Sequence, residues 1–252
     1  MNPQLVVEAM QRDAIREGIE IRLGTAYVRR EETGVGTTTG AVTAGYVVNA
    51  AGLYADKIAL DYGFSKNYRI LPFKGLYLYS NEPPGAIRTN IYPAPDLRNP
   101  FLGVHFTITA DGNAKIGPTA IPAFWRENYE GLDNFNLREL MEVAGRGLGL
   151  LANAQFDYRR LAIEEIAKYS RGKMVALDSM LAEGVVEANY RTWGRPGIRA
   201  QLLDIAKRKL EMDFVLEGDH RSMHVLNAVS PAFTCSLPFA GHVCDQIAQR
   251  LQ

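Results

Sequence analysis

The stretch Val47–Gly52 has the sequence VVNAAG, in which an apolar strand runs directly into small residues and a glycine. Small residues at the carboxyl end of a strand let a ligand approach the backbone closely. In open α/β sheets, nucleotides bind at that edge. The stretch therefore predicts a nucleotide-binding strand, and the rest of the chain is interpreted outward from it.

The glycine-rich loop that normally opens such a sheet is missing from the pattern. A dinucleotide fingerprint needs G-x-G-x-x-G between a strand and a helix. Gly34, Gly36 and Gly40 come nearest, but they surround threonines and no helical pattern follows. We interpret them as turns between β-strands. We therefore expect a truncated chain, the later part of a nucleotide-dependent enzyme.

The composition is ordinary for a globular protein and points to no polyanionic partner. The chain has 252 residues, 47% of them hydrophobic, with 28 Lys+Arg and 28 Asp+Glu. Such a balance does not suggest nucleic acid or an anionic membrane surface as a bulk partner. No apolar run approaches the roughly 20 residues of a spanning helix. We expect a cytoplasmic protein, with peripheral attachment at the inner membrane left open.

Cys235 and Cys244 lie near His242, which raises the question of a metal site. A zinc site needs a second cluster of ligands, and the sequence offers none. We predict no metal and interpret the thiols as core residues of a cytosolic protein.

The periodicity along the chain predicts an α+β fold. A helix over residues 4–18, a short strand Ile19–Leu23 and β-structure over residues 27–48 precede the Val47–Gly52 stretch. The remaining predictions are a short helix at 54–61, strands at 76–79, 90–92, 101–107 and 114–118, helices at 137–151 and 156–188, strands at 197–203 and 223–227, and a helix at 231–251. The two ends are interpreted as one nucleotide-binding unit, interrupted by an antiparallel middle.

Arg199 is the first candidate for substrate binding, because it follows Gly197 and Ile198 at the predicted start of a strand. A guanidinium binds a carboxylate through two parallel hydrogen bonds. A structural ion pair is the alternative for any arginine. Apolar neighbours favour a half-buried position, where a guanidinium needs an anionic partner.

His105 is the candidate catalytic residue. On strand alternation it shares a face with Gly103 and lies opposite Val104 and Phe106. The glycine keeps that face open, so a functional histidine and a satisfied core histidine are equally favoured.

Lys74 and Tyr77 lie within the sequence FKGLY at 73–77. Lys74 is a second candidate cation for a dianionic substrate, with an exposed lysine at a strand edge as the alternative. Tyr77 is a candidate for lining the substrate cleft, with a place in the core as the alternative.

The segment His224–Ala232 joins a predicted strand to the predicted last helix, with Ser230 as N-cap and Pro231 at the first helical position. Helix N-termini present free N–H groups and a partial positive charge. Such an end would stabilise a reduced flavin, whose pyrimidine carbonyl gains negative charge. An ordinary strand-to-helix connection is the alternative.

Six blocks of the sequence, in this order and spacing, carry a resemblance to a known family: VNAAGLYADKIA at 48–59, FKGLY at 73–77, IYPAPD at 91–96, PFLGVHFT at 100–107 with DG at 111–112 and GP at 117–118, PGIRAQ at 196–201, and HVLNAVSPA at 224–232. Together they resemble the L-2-hydroxyglutarate dehydrogenase/oxidase family, within the D-amino-acid-oxidase-like FAD oxidoreductases.

The resemblance implies an FAD-binding α/β remnant at residues 1–67 and 204–252, interleaved with an antiparallel-sheet substrate domain at residues 68–203. It implies oxidation of a small 2-hydroxy dicarboxylate, L-2-hydroxyglutarate, to the 2-oxo acid, while a base removes the hydroxyl proton. Arg199 would hold the α-carboxylate, and Lys74 or His105 the distal one. The residues assigned to FAD are Ala50, Ala51, Gly52, Asn227, Ala228, Ser230, Pro231 and Ala232.

The chain departs from the family pattern at two places. Family members carry the glycine-rich phosphate loop, a ribose-binding acid and a histidine-bearing segment before the counterpart of Met1, and we expect this chain to lack them. A separate N-terminal segment or chain is therefore an expected partner. Within Asp204–Asp213, the sequence KRK at 207–209 replaces a usual glycine turn.

Two other functions stay open at this point. An amine or amino-acid oxidase of the same superfamily would place an amine where the hydroxyl sits. A non-catalytic truncated fragment would fold without flavin or only with a separate N-terminal piece, and would expose apolar surface around Val47–Gly52.

Overall fold

A computed structural model describes residues 2–94, 101, 103–153, 158–228 and 233–252. The α-helices in these ranges are α1 (Pro3–Arg16), α2 (Ala55–Asp61), α3 (Leu137–Asn153), α4 (Tyr158–Ala167), α5 (Arg171–Asp178) and α6 (Ser236–Leu251). Short 3-10 helices cover Gly52–Tyr54 and Glu187–Asn189.

The strands are β1 (Tyr27–Glu31), β2 (Gly34–Thr37), β3 (Gly40–Thr43), β4 (Val47–Asn49), β5 (Tyr68–Gly75), β6 (Leu78–Ser80), β7 (His105–Ile108), β8 (Ala114–Gly117), β9 (Ile121–Pro122), β10 (Tyr190–Trp193), β11 (Gly197–Asp204), β12 (Lys209–Leu210), β13 (Val215–Gly218) and β14 (Ser222–Asn227). They form sheets of order β1-β2-β3, β10-β6-β8-β7, β12-β11-β5-β9 and β13-β14-β4. Strands β4 and β14 run parallel, whereas the other pairs with a defined register are antiparallel. This mixture agrees with the predicted α+β class.

The chain divides into two compact units. The first unit comprises Met1–Thr25, Gly75–Ile121 and Ala162–Gly197, and the second comprises Ala26–Lys74, Pro122–Leu161 and Ile198–Gln252. These bounds differ from the domains expected from the sequence, because both units draw on three separate segments. The functional roles assigned to those domains stay a prediction.

The core of the first unit lies on one face of the sheet β10-β6-β8-β7. Leu78, Phe106 and Ile116 are fully buried there and pack with Met174 of α5. Since these residues alternate with His105, Thr107 and Lys115 along β7 and β8, the latter three occupy the opposite face. The sheet therefore has one apolar face and one face that carries polar side chains.

The core of the second unit joins α2 to two sheets. Ala55 and Ala59 of α2 pack with Ile70 of β5, Leu202 of β11 and Leu226 of β14. The small alanines let α2 approach the strands closely, so the helix that follows β4 is held directly on the core.

Several element predictions are corrected by the structure. The expected strand Ile19–Leu23 does not form, and its apolar side chains are exposed. Helix α6 begins at Ser236, later than the predicted start at 231. Pro238 explains the shift, because its ring and missing N–H fit only the first turn of a helix and not the interior. The predicted cap and first helical residue, Ser230 and Pro231, lie outside the described residues.

The region predicted as helical over 156–188 contains two shorter α-helices, α4 and α5, and the second ends at Asp178, before the turn at Gly184. The sequence Asp111-Gly112-Asn113 forms the turn between β7 and β8, where Thr109 and Asn113 are hydrogen-bonded across Gly112, which has φ +83°. Within the residues that the structure describes, none of the helices combines the length and the apolar character needed to cross a membrane.

Candidate functional site

The carboxyl edge of the parallel pair β4/β14 presents an open backbone. The strands are parallel, so the residues that follow both leave toward the carboxyl end of the pair; Asn49 lies beside His224, and β14 continues to Asn227. Ala50, Ala51 and Gly52 are exposed. Gly52 has φ +53°, and a side chain added there would meet nothing within 4 Å. This edge of small residues fits a flat cofactor that lies against the backbone.

A buried hydrogen-bond network supports this edge from within. The Ala51 N–H donates to Asn49 Oδ1 at 3.1 Å, and Asn49 Nδ2 donates to the Ala55 carbonyl at 2.8 Å. Asn49 Nδ2 also lies 3.1 Å from His224 Nδ1, and His224 Nε2 lies 3.1 Å from Ser222 Oγ. His224 is fully buried, and burial lowers its pKa from 6.5 to about 4. The histidine is therefore neutral at neutral pH.

The predicted cofactor residues after β14 are only partly described. Asn227 is buried, and its Nδ2 donates to the carbonyls of Glu211 and Asp213 at 3.2 and 2.6 Å. Its amide thus ties the strand to the preceding hairpin, while Ala228 is exposed. Ser230, Pro231 and Ala232 lie outside the described residues.

A buried ion pair holds α2, the helix that follows the β4 edge. Arg126 donates two parallel hydrogen bonds to Asp56, from Nη1 at 2.7 Å and from Nη2 at 2.9 Å, and both side chains are at most 1% exposed. Asp56 Oδ2 accepts a third bond from the Ile70 N–H at 3.0 Å. The pair therefore links α2 to β5.

Arg199 and Lys74 lie on neighbouring strands, β11 and β5. Burial lowers the pKa of both side chains, and Glu130 acts in the opposite direction on the pKa of Lys74. Ile70 and Leu202 share one core cluster, and Lys74 follows Ile70 by four residues whereas Arg199 precedes Leu202 by three. Strand alternation therefore places the two cations on opposite faces of their sheet.

His105 has a defined tautomer. Its Nδ1 lies 3.0 Å from the Gly103 carbonyl oxygen, which can only accept, so Nδ1 carries the proton. Burial lowers the pKa of His105, the bond to Gly103 raises it, and the nearby charge of Lys115 lowers it. A neutral imidazole with a free electron pair on Nε2 is able to accept a proton.

Lys115 is a cation that sequence reasoning missed. Its Nζ lies 4.4 Å from the ring centre of Tyr77 and 5.9 Å from that of Tyr79. The ion pairs among the described residues do not include it, and burial lowers its pKa. Strand alternation around Gly117 could have revealed it, because positions 115 and 117 of β8 share the face of His105.

The structure thus brings the candidates together in two groups. In the first unit, His105, Lys115 and Tyr77 occupy the face of the sheet opposite the core. In the second unit, Ala50–Gly52 and Ala228 share the carboxyl edge of the parallel pair, whereas Lys74 and Arg199 are separated by their sheet.

A parallel strand pair that ends in small exposed residues is an arrangement that nucleotide-cofactor enzymes use. The chain belongs to the DAO family of FAD-dependent oxidoreductases, because the family model described as FAD dependent oxidoreductase matches residues 1–155. This confirms the family predicted from the sequence blocks.

Curated relatives share a name. The chain is 40% identical over 216 residues to L-2-hydroxyglutarate dehydrogenase, mitochondrial, of Bos taurus, covering 82% of this chain and 45% of that protein. It is 35% identical over 219 residues to L-2-hydroxyglutarate dehydrogenase of Indibacter alkaliphilus, covering 85% of this chain and 53% of that protein. The chain spans about half the length of the curated relatives it matches.

The fold is also similar to solved structures. Glycine oxidase from Bacillus cereus superposes with a TM-score of 0.55 at 16% identity, over 97% of this chain and 56% of that one. At that identity, the likeness concerns the fold alone.

Proposed function

We propose that this chain forms part of an FAD-dependent oxidoreductase that converts L-2-hydroxyglutarate to the corresponding 2-oxo acid. The observation that carries the proposal is the 40% identity over 216 residues to L-2-hydroxyglutarate dehydrogenase of Bos taurus. The open edge after β4 and the basic, histidine-bearing sheet face supply the two kinds of site that such an enzyme needs.

The residues at the β4/β14 edge fit FAD. Ala50, Ala51 and Gly52 would hold it through their backbone, together with Ala228 and the following residues 230–232. Bound FAD supplies the two-electron acceptor for oxidation of the alcohol carbon. The chain itself has to bind the acid, orient it and remove the hydroxyl proton.

His105 is assigned as the base that accepts the hydroxyl proton of the substrate. Its Nδ1–H is fixed on the Gly103 carbonyl at 3.0 Å, so Nε2 is the atom left to accept the hydroxyl proton of the substrate. The lowered pKa keeps the ring neutral and ready as a base. The C–O single bond of the substrate becomes a C=O double bond as the O–H and C–H bonds break.

The cations are assigned to the two carboxylates of the substrate. Arg199 would bind the α-carboxylate through its fork. Of the two sequence candidates for the distal carboxylate, Lys74 lies on the other face of the sheet from Arg199, so it does not share a ligand with Arg199 on one face. The other sequence candidate, His105, shares its sheet face with Lys115 in the first unit.

The absorption spectrum of the purified chain with added FAD tests the proposal. We expect a flavin band that L-2-hydroxyglutarate bleaches under anaerobic conditions. L-glutamate, which carries an amine in place of the hydroxyl, is the matched control and should leave the band unchanged. Bleaching by L-glutamate alone would favour the amino-acid oxidase. A colourless protein that takes up no FAD would favour the non-catalytic fragment.

A further inference from the structure

The turn Ala50–Gly52 has a defined shape that its own small side chains cannot impose. Its amide at Ala51 is held by Asn49, and the Tyr54 N–H donates to the Ala51 carbonyl at 3.1 Å. The side chain of Asn49 is 4% exposed, so its own hydrogen bonds are made inside the protein. The orientation of the Asn49 amide therefore decides how the turn is presented.

The backbone partners fix that orientation. Asn49 Oδ1 faces the Ala51 N–H, and Nδ2 faces the Ala55 carbonyl oxygen. Nδ2 is thus a donor, and the ring atom of His224 that faces it has to be an acceptor. His224 consequently carries its proton on Nε2, which donates to Ser222 Oγ, and that hydroxyl lies 3.4 Å from Asp219 Oδ1.

We infer that His224 is a positioning residue for FAD, which through Asn49 fixes the Ala50–Gly52 turn and does so only as the Nε2–H tautomer. The inference rests on the proposed function in that the turn is taken as the FAD contact. A protonated ring would present an N–H to the Asn49 Nδ2 donor, so Asn49 would have to turn and release the Ala51 amide.

The surroundings of His224 maintain the neutral form. The rings of Tyr62 and Phe64 pack against it with centres 5.0 and 5.1 Å away. Burial has the largest effect on its pKa, which Asp219 raises and Arg30 lowers. The charged groups around the ring oppose each other, so the apolar packing selects the neutral ring.

Nitrogen NMR on the FAD-free chain tests the tautomer directly. With ¹⁵N-histidine labelling, we expect the His224 ring to show a protonated Nε2 and an unprotonated Nδ1 at neutral pH. A protonated Nδ1 in the wild-type chain would overturn the inference. This measurement needs neither a variant nor the cofactor.

Three variants then test positioning. In H224L, the Ala51 amide should exchange with solvent about tenfold faster, the size expected when one buried hydrogen bond is lost. H224Q can keep an acceptor toward Asn49 and should restore slow exchange. H242Q replaces an exposed histidine of α6 and should have no effect. In the wild-type chain, lowering the pH toward 4 should reduce the protection of the Ala51 amide, expressed as its exchange rate relative to the intrinsic rate at the same pH.

FAD affinity distinguishes a positioning role of His224 from a purely structural role. We expect H224L to bind FAD about tenfold more weakly, in step with the loss at Ala51, and H224Q to bind as the wild type does. Equal loss in H224L and H224Q, with the Ala51 amide still protected, would show a purely structural histidine and overturn the inference. If the wild-type chain binds no FAD, the proposed function fails, while the tautomer and exchange results still decide how the turn is held.

Discussion

At the scale of single residues, hydrogen bonds and strand pairing define the chemical roles. His105 is an acceptor at Nε2 because the Gly103 carbonyl occupies Nδ1. Lys115 belongs to the same face because β8 pairs with β7. Residue type made both plausible, but the hydrogen bond and the strand pairing define what each can do.

Truncation of Arg199 and of Lys115 tests a separate role for each cation. R199A should weaken binding of both L-2-hydroxyglutarate and the monocarboxylate 2-hydroxybutyrate by about 2–5 kcal/mol, because both carry the α-carboxylate. K115M should raise the pKa of His105, measured by NMR of the ring, because the nearby charge of Lys115 lowers it. Titration of the flavin spectrum with each acid measures the affinities.

Arg191 is exposed in β10 and provides the control for the cation variants. R191A should leave both affinities unchanged. An unchanged pKa of His105 in K115M would contradict an effect of the Lys115 charge, and unchanged affinities in R199A would remove Arg199 from the site.

At the scale of elements, the helix after β4 is placed by a charge pair that hydrophobic patterns do not reveal. Asp56 of α2 and Arg126 meet across 70 residues of sequence with Nη1–Oδ1 at 2.7 Å. Because Asp56 also accepts from the Ile70 N–H, the same carboxylate fixes α2 against β5. The apolar residues Ala55 and Ala59 make the contact, but the ion pair sets its orientation.

Removal of one partner of this pair should be costly. R126M is expected to lower the free energy of unfolding by about 3–5 kcal/mol, because it leaves the Asp56 carboxylate buried without its partner. Urea denaturation measures the loss. The double variant D56N/R126M should recover part of it, since the buried Asp56 charge is removed together with its partner.

Arg16 and Asp13 offer the matched surface control, with side chains 73% and 61% exposed. R16M should change stability by no more than about 1 kcal/mol. A loss in R126M as small as that in R16M would show that the pair does not hold α2.

At the scale of the whole molecule, the two units contain buried titrating groups with opposite effects. Burial raises the pKa of Asp178, in the first unit, from 3.8 to about 7, and neither of its carboxylate oxygens has a hydrogen-bond partner among the described residues. Burial lowers the pKa of His224, in the second unit, from 6.5 to about 4. Folding therefore binds a proton in one unit and releases one in the other.

The two units should respond oppositely to pH. Folded Asp178 holds its proton up to about pH 7, so the first unit loses stability as the pH rises from about 4 to 7, by on the order of 4 kcal/mol. His224 resists protonation in the folded state, so the second unit loses stability as the pH falls from 6.5 toward 4, by on the order of 3 kcal/mol. Segment-resolved hydrogen exchange at pH 5 and 7, corrected for intrinsic rates, measures both.

Two variants test which residue causes the pH dependence of stability in each unit. D178N should abolish the pH dependence of stability in the segments of α5 and β10. H224Q should abolish the pH dependence of stability in the segments of β4 and β14. A pH dependence that persists in D178N would show that Asp178 is not its source. A change of stability with pH in the same direction in both units would contradict the opposite effects of Asp178 and His224.

The sequence by itself determined the family, the α+β class, the glycine-ended strand and most helices. These features depend on local periodicity and on blocks of consecutive residues, and both can be recognised from residues that are close together in the sequence. It placed the last helix too early because the cap signal at Ser230 was stronger locally than the constraint of Pro238.

Only the tertiary structure decided the division of segments between the two units, the separation of Lys74 from Arg199, and the partners of Asp56, His224 and Lys115. Each depends on strands and helices that meet across long stretches of sequence. The stretch Val47–Gly52 illustrates both levels, because its small residues are visible in the sequence. Its shape is set by His224, which is 175 residues from Asn49 along the chain.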